Sequence, residues 1–213
     1  MATSSYPTIL ATATAGIVEK RSRFLAALFP TKTPEEAAAV LERVKAQHRE
    51  ASHHVYAYRL WSGFLTRYSD DAEPQGTAGF PSLEVLRREG LWDVTLVTVR
   101  YFGGTLLGAG GLTRAYAAAA KAAVDAARIA VMTAAVRCRV CLPYAEYRQL
   151  EGLVSAAGGQ LLNTDFAEAV TATLMLPEET EASFCAALAD ATKGKAQLAV
   201  EDRLFFPLEK RDF

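Results

Sequence analysis

The sequence predicts an α+β protein of two domains, and three observations carry that expectation. Residues 132–204 read as strand, helix, strand, strand, helix, strand, the order of a ferredoxin-like split unit. Residues 1–131 mix short hairpins with capped helices and share none of that order. Between an apolar strand and an alanine-rich helix in the first half lies RYFGGTLLGAGGLTRAY (Arg100–Tyr116), which sets five glycines within nine residues. A chain of 213 residues is long enough to bury two separate cores. The expected boundaries are 1–131 and 132–204, with 205–213 as an unassigned tail.

In chain order, GIVEKRSRFLAALFP is the first expected hairpin. TPEEAAAVLERV announces a helix: Thr33 as N-cap, Pro34 at the first position, Glu36 completing a capping box. Ala37, Val40, Leu41 and Val44 then share one face. HHVYAYRLW and FLTRY form a second hairpin, and PSLEVLRREG a short helix opened by Pro81 and closed by Gly90. An apolar strand through Val99 leads into the glycine loop and a helix from about Leu112 to Arg128. Its buried alanines let it lie close to a sheet.

In the second half, VRCRVCL alternates, placing Val136, Cys138, Val140 and Leu142 on one face. Tyr147, Leu150 and Val154 follow at helical spacing up to Gly158-Gly159. QLLN and AVTATLML make a hairpin, Pro177 opens a helix ending near Gly194, and QLAVE is the last strand. The other face of this sheet should show Arg137, Arg139, Thr171, Thr173, Met175 and Gln197. None is aromatic, so base stacking on that sheet is not expected. Cys138 and Cys141 match C-x-x-C by letter, but three residues along a strand point to opposite faces, so both read as packing residues.

The net charge of −1 argues against nucleic-acid binding by bulk electrostatics. It divides unevenly, +3 up to Arg128 and −4 beyond, so a polyanion would meet the first half. Three cysteines make no disulfide framework. There is no signal-peptide pattern and no uncharged span of membrane length, so the expected location is cytoplasmic, with no membrane partner.

The glycine loop fails both common phosphate templates. Ala109-Gly110 stands where a P-loop carries Lys and Ser or Thr, and Thr113 stands at the third small position of the dinucleotide fingerprint. What remains is a helix start with exposed backbone N–H groups, flanked by Arg100 and Arg114, as an anion nest. The competing reading gives Gly103, Gly104, Gly108, Gly110 and Gly111 only conformational work. SDDAEPQGTAG gathers Asp70, Asp71 and Glu73, either as ligands for a hard cation such as Mg²⁺ or as caps on backbone N–H groups. His53 and His54 open a strand and face opposite ways, so one at most reaches a given site. A mixed histidine–carboxylate site requires Asp70 or Asp71 to fold back against that strand.

With HHVYAYRL, SDDAEPQGTAGFP and VRYFGGTLLGAGGLTRAY on view, the chain resembles the YigZ/IMPACT family across essentially its whole length. Ala72 stands where that family has glycine, and Val55 where cysteine is common. The resemblance implies an N-terminal βαβ sandwich like domain 2 of a small-subunit ribosomal protein. It implies a C-terminal ferredoxin-like domain similar to the last domain of elongation factor G. In eukaryotic relatives the shared module belongs to a regulator of translation initiation acting through a protein contact.

The leading expectation is therefore a translation-associated, non-enzymatic protein that engages RNA, the ribosome or a ribosome-bound partner. Asp70, Asp71, Glu73, Arg100, Gly103, Gly104, Gly108, Gly110, Gly111 and Arg114 form the contact, with no cofactor. The alternative is a metal-assisted hydrolase of a small phosphorylated or acyl compound, using Asp70 or Asp71 for the ion and His53 or His54 as acid and base. Both require the three motifs to meet in one hollow.

Overall fold

A computed structural model describes residues 5–208. The chain divides into two compact units, one of residues 7–130 and one of residues 1–6 with 131–213. The fold is α+β with a separate sheet in each unit. A strand that the sequence reading did not foresee, β1 (Ser5–Ile9), is divided between them after Tyr6.

The first unit is built on strands β2 (Ala13–Glu19), β3 (Ser22–Pro30), β4 (His53–Leu60), β5 (Leu65–Ser69) and β6 (Val94–Tyr101) in the order β2-β3-β6-β4-β5. Every pairing in it is antiparallel, and both expected hairpins form. β6 is central and buried at every position except its last. Helix α1 (Pro34–Gln47) covers one face, where Val40 and Val44 pack on Phe29, Val97 and Val99. Helices α2 (Gly79–Arg88) and α3 (Ala109–Asp125) cover the other. There Ala115, Ala119, Ala120 and Ala123 of α3 join Phe24, Ala26, Leu28, Val55, Ala57 and Leu96 in one core. Small side chains bring the helix close to the sheet, as the alanine run foretold.

Thr33 caps α1 through its hydroxyl, which accepts from the Glu36 amide at 3.2 Å. The reciprocal half of the box differs: the Glu36 carboxylate accepts from the Lys32 amide at 2.6 Å rather than from Thr33. α2 begins at Gly79, two residues ahead of Pro81, and closes as expected at Gly90 with φ +67°. α3 begins at Ala109 rather than Leu112, so Gly110 and Gly111 belong to its first turn, and it ends at Asp125.

The second unit contains β7 (Ile129–Leu142), α4 (Tyr144–Ala156), β8 (Gln160–Phe166), β9 (Val170–Pro177), α5 (Glu181–Thr192) and β10 (Gln197–Phe206). β7 pairs with β9 and β10, and β9 with β8, giving the ferredoxin-like order β10-β7-β9-β8. Val136, Cys138, Val140 and Leu142 are buried together against Leu150 and Val154, as the alternation predicted. Two expectations are corrected. The last strand runs on past QLAVE to Phe206, into the segment read as tail. Met175 is fully buried rather than open, because Leu204, Phe206 and Leu208 pack over it with Ala135.

Candidate functional site

β4 and β6 lie side by side with His53 opposite Arg100 and His54 opposite Val99. Alternation sends His53 and Arg100 to the α2–α3 face and His54 to the α1 face. The acidic loop after β5 then folds back against the start of β4. Asp71 meets both histidines: its carbonyl oxygen lies 2.7 Å from His53 Nδ1, and its Oδ2 accepts the His54 backbone N–H at 2.6 Å. A carbonyl only accepts, so His53 carries a hydrogen on Nδ1 and turns Nε2 inward. His54 donates from Nε2 to the His48 carbonyl at 3.0 Å, with Nδ1 3.8 Å from Asp71 Oδ2. The two histidines face apart, as expected, yet they hold one loop residue between them.

That hold forces an unusual backbone. Asp71 and Ala72 both have left-handed conformations, φ +44° and +65°. The second explains why glycine suits position 72, since alanine is strained there. Asp70 organises the rest of the loop. Its Oδ1 accepts from the amides of Ala78 (3.0 Å) and Gly79 (2.8 Å), and its Oδ2 from Gly76 (2.8 Å). This carboxylate caps α2 in place of the N-cap residue Ala78. Its oxygens are committed to backbone, as the capping alternative expected.

Glu73 is turned inward. Its Oε1 accepts from Arg100 Nη1 at 2.6 Å and from the Tyr116 hydroxyl at 2.8 Å, and His53 Nε2 stands 3.8 Å away. The Arg100 and Glu73 side chains are only 6% and 3% exposed, so the pair is a buried one. Arg100 is thus no free cation beside the glycine loop: its orientation on the α3 face carries it under the loop, toward a carboxylate. Its Nη2 reaches Ser22 Oγ at 3.4 Å, and its Nε has no hydrogen-bond partner. Burial, reinforced by the neighbouring Glu73 charge, pushes the Tyr116 phenol well above its ordinary range. Tyr116 was not singled out from sequence; a lone aromatic among the alanines of α3 was the available signal.

The glycine loop passes over this network. Gly103 has no room for a side chain, because a Cβ would fall 2.1 Å from the Arg21 carbonyl carbon. Gly108 is the N-cap of α3 at φ +71°. Between them Phe102 and Leu106 are 50% and 82% exposed. Arg114 is exposed and reaches back along the first turn of α3, with Nη1 3.5 Å from where a Gly110 Cβ would stand.

A hollow of about 480 Å³ results, and the three motifs meet there. His53 comes from the strand, Glu73 and Pro74 from the acidic loop, and Phe102 through Ala109 supply the rim, with Arg100 and Leu112 beneath. Asp70, Asp71, Gly103, Gly104, Gly110, Gly111 and Arg114 lie outside its lining. Among the described residues, no three His, Cys, Asp or Glu side chains are grouped to hold a metal ion. Ser52, Phe102 and Leu106 line or rim the hollow without having been anticipated.

In the second unit Cys138 is buried and Cys141 half-buried on the opposite face, so the C-x-x-C letters form no thiol pair. Among the described residues no helix is long and apolar enough to cross a membrane.

Residues 20–124 match the model of the Impact N-terminal domain, and residues 140–195 that of a domain of unknown function. The IMPACT family member YigZ of Escherichia coli is 36% identical over 187 residues, covering 86% of this chain and 92% of that protein. An IMPACT family member of Thermus thermophilus is 41% identical, covering 83% of this chain and 96% of its own. A crystal structure titled as that of a hypothetical protein superposes with a TM-score of 0.62 at 33% identity, over 94% of this chain and 98% of its own.

Proposed function

The chain belongs to the IMPACT family, and we propose that it is a translation-associated regulatory protein that binds RNA or the ribosome through the hollow of its first unit. One observation carries the reading. Three segments far apart in sequence converge there on a rim whose exposed Phe102 and Leu106 the core does not use. Exposed aromatic and apolar side chains beside backbone donors suit an unpaired, stacked nucleotide. The +3 balance up to Arg128 favours this half for a polyanion.

Arg100, Glu73 and Tyr116 form the floor in this scheme, and His53, Phe102, Leu106 and Arg114 make the contact. Arg100 is a poor probe, since its removal strands a buried carboxylate. The test is filter binding of RNA and of ribosomal subunits to the full chain, wild type against Arg114→Ala and against Phe102→Ala with Leu106→Ala. Weakened retention in both variants at unchanged melting temperature supports the reading. Retention equal to wild type in both removes the surface from it.

A further inference from the structure

We propose that the hollow binds a phosphate monoester, with the phosphate seated on the first turn of α3. This rests on the reading above and names its ligand chemistry.

α3 starts at Ala109 with no side chain capping it and no acidic residue in its first turn. The leading N–H groups of any helix lack partners within it and carry a partial positive charge. Gly108 and Ala109, which bear that end, line the hollow. Gly110 sharpens the point. It is helical, and a Cβ there would meet nothing closer than Arg114 Nη1 at 3.5 Å, so the fold does not demand glycine. Glycine inside a helix costs about 1 kcal/mol against alanine. Its effect at this position is a bare backbone beside Arg114.

A second observation is independent of the helix. Arg100 lines the same hollow with its side chain 6% exposed, and its Nε has no partner. A buried donor left unmatched is costly, and an acceptor entering the hollow relieves it. His53 turns Nε2 toward the same space and becomes a further donor when protonated.

The apolar rim selects what the phosphate is attached to. Phe102 and Leu106 present flat, exposed apolar surface, and about 480 Å³ accommodates a nucleoside. The shared chemistry is therefore a nucleoside phosphate monoester, whether a free mononucleotide or the 5′-phosphorylated end of an RNA chain.

The experiment is calorimetric titration of the full chain with inorganic phosphate, 5′-AMP, and a short oligoribonucleotide carrying either a 5′-phosphate or a 5′-hydroxyl. Ala109→Asp places a carboxylate in the first turn, which suits the helix and opposes an anion. It is expected to keep the wild-type melting temperature and to weaken 5′-AMP binding at least about tenfold. Ala109→Lys at the same exposed site is expected to hold or raise affinity. Tighter binding of the 5′-phosphorylated oligonucleotide than of 5′-AMP assigns the chain end, and equal binding assigns the free nucleotide.

The proposal is overturned if no phosphate-bearing probe binds saturably. It is also overturned if the two oligonucleotides bind alike, or if Ala109→Lys loses as much affinity as Ala109→Asp. RNA or ribosome retention that persists in Ala109→Asp, with no phosphate binding, sinks this inference and leaves the broader reading intact.

Discussion

Arg100 Nη1 stands 2.6 Å from Glu73 Oε1, and neither side chain is more than 6% exposed. Truncating one member of such a pair leaves the other charge buried without compensation, at about 3–5 kcal/mol. Arg100→Ala should lose that much in urea denaturation. Adding Glu73→Gln should recover part of it, because the stranded group is then neutral. A single variant as stable as wild type would show that the pair is solvated.

Ala72 holds φ +65°, where an L side chain is strained by about 1–2 kcal/mol and glycine is not. Part of that gain is offset by glycine's greater freedom in the unfolded chain. Ala72→Gly should therefore stabilise the protein by up to about 1 kcal/mol, seen as a rise in melting temperature.

Two glycines of the same motif should respond oppositely to alanine. At Gly103 the added methyl collides with the Arg21 backbone, so Gly103→Ala should fail to fold or lose several degrees of stability. At Gly110 the methyl has room on a helical backbone, so Gly110→Ala should gain up to about 1 kcal/mol. Thermal melts of the pair distinguish packing from propensity.

Burial raises the Cys138 thiol to about 11 from 9.0, with nearby Glu181 contributing. Cys138 should resist alkylation at pH 8 in the native state and react after unfolding. The folded state holds this proton more tightly than the unfolded chain. The resulting stability is complete below the unfolded value and disappears as pH rises through the folded one. Denaturation of wild type against Cys138→Ala between pH 9 and 11 should show the wild type losing the pH-dependent part.

Much of the fold was legible because its signals are local. The alternation through Val136, Cys138, Val140 and Leu142 fixed a strand and its inner face, and Thr33-Pro34 fixed a helix start. The convergence of motifs was legible only as a requirement, namely that an aspartate fold back on His53-His54, and Asp71 meets it. Other features depend on partners far away in the chain. Nothing near Arg100 announces that its guanidinium ends against Glu73, 27 residues earlier. Met175 alternates correctly onto the outer face, but the closing of that face by Leu208 is tertiary information.

Alanine makes a smooth contact surface, and α3 meets its sheet mostly through Ala115, Ala119, Ala120 and Ala123. A helix with so few protrusions has little to stop it sliding one turn along its bed, since each displaced methyl finds another in its place. The hydroxyl of Tyr116 on the Glu73 carboxylate breaks that degeneracy. A slip of one turn, about 5.4 Å, would pull the phenol off its acceptor. The ionic floor of the hollow therefore doubles as a dowel, locking the translational setting of a helix whose own surface specifies none.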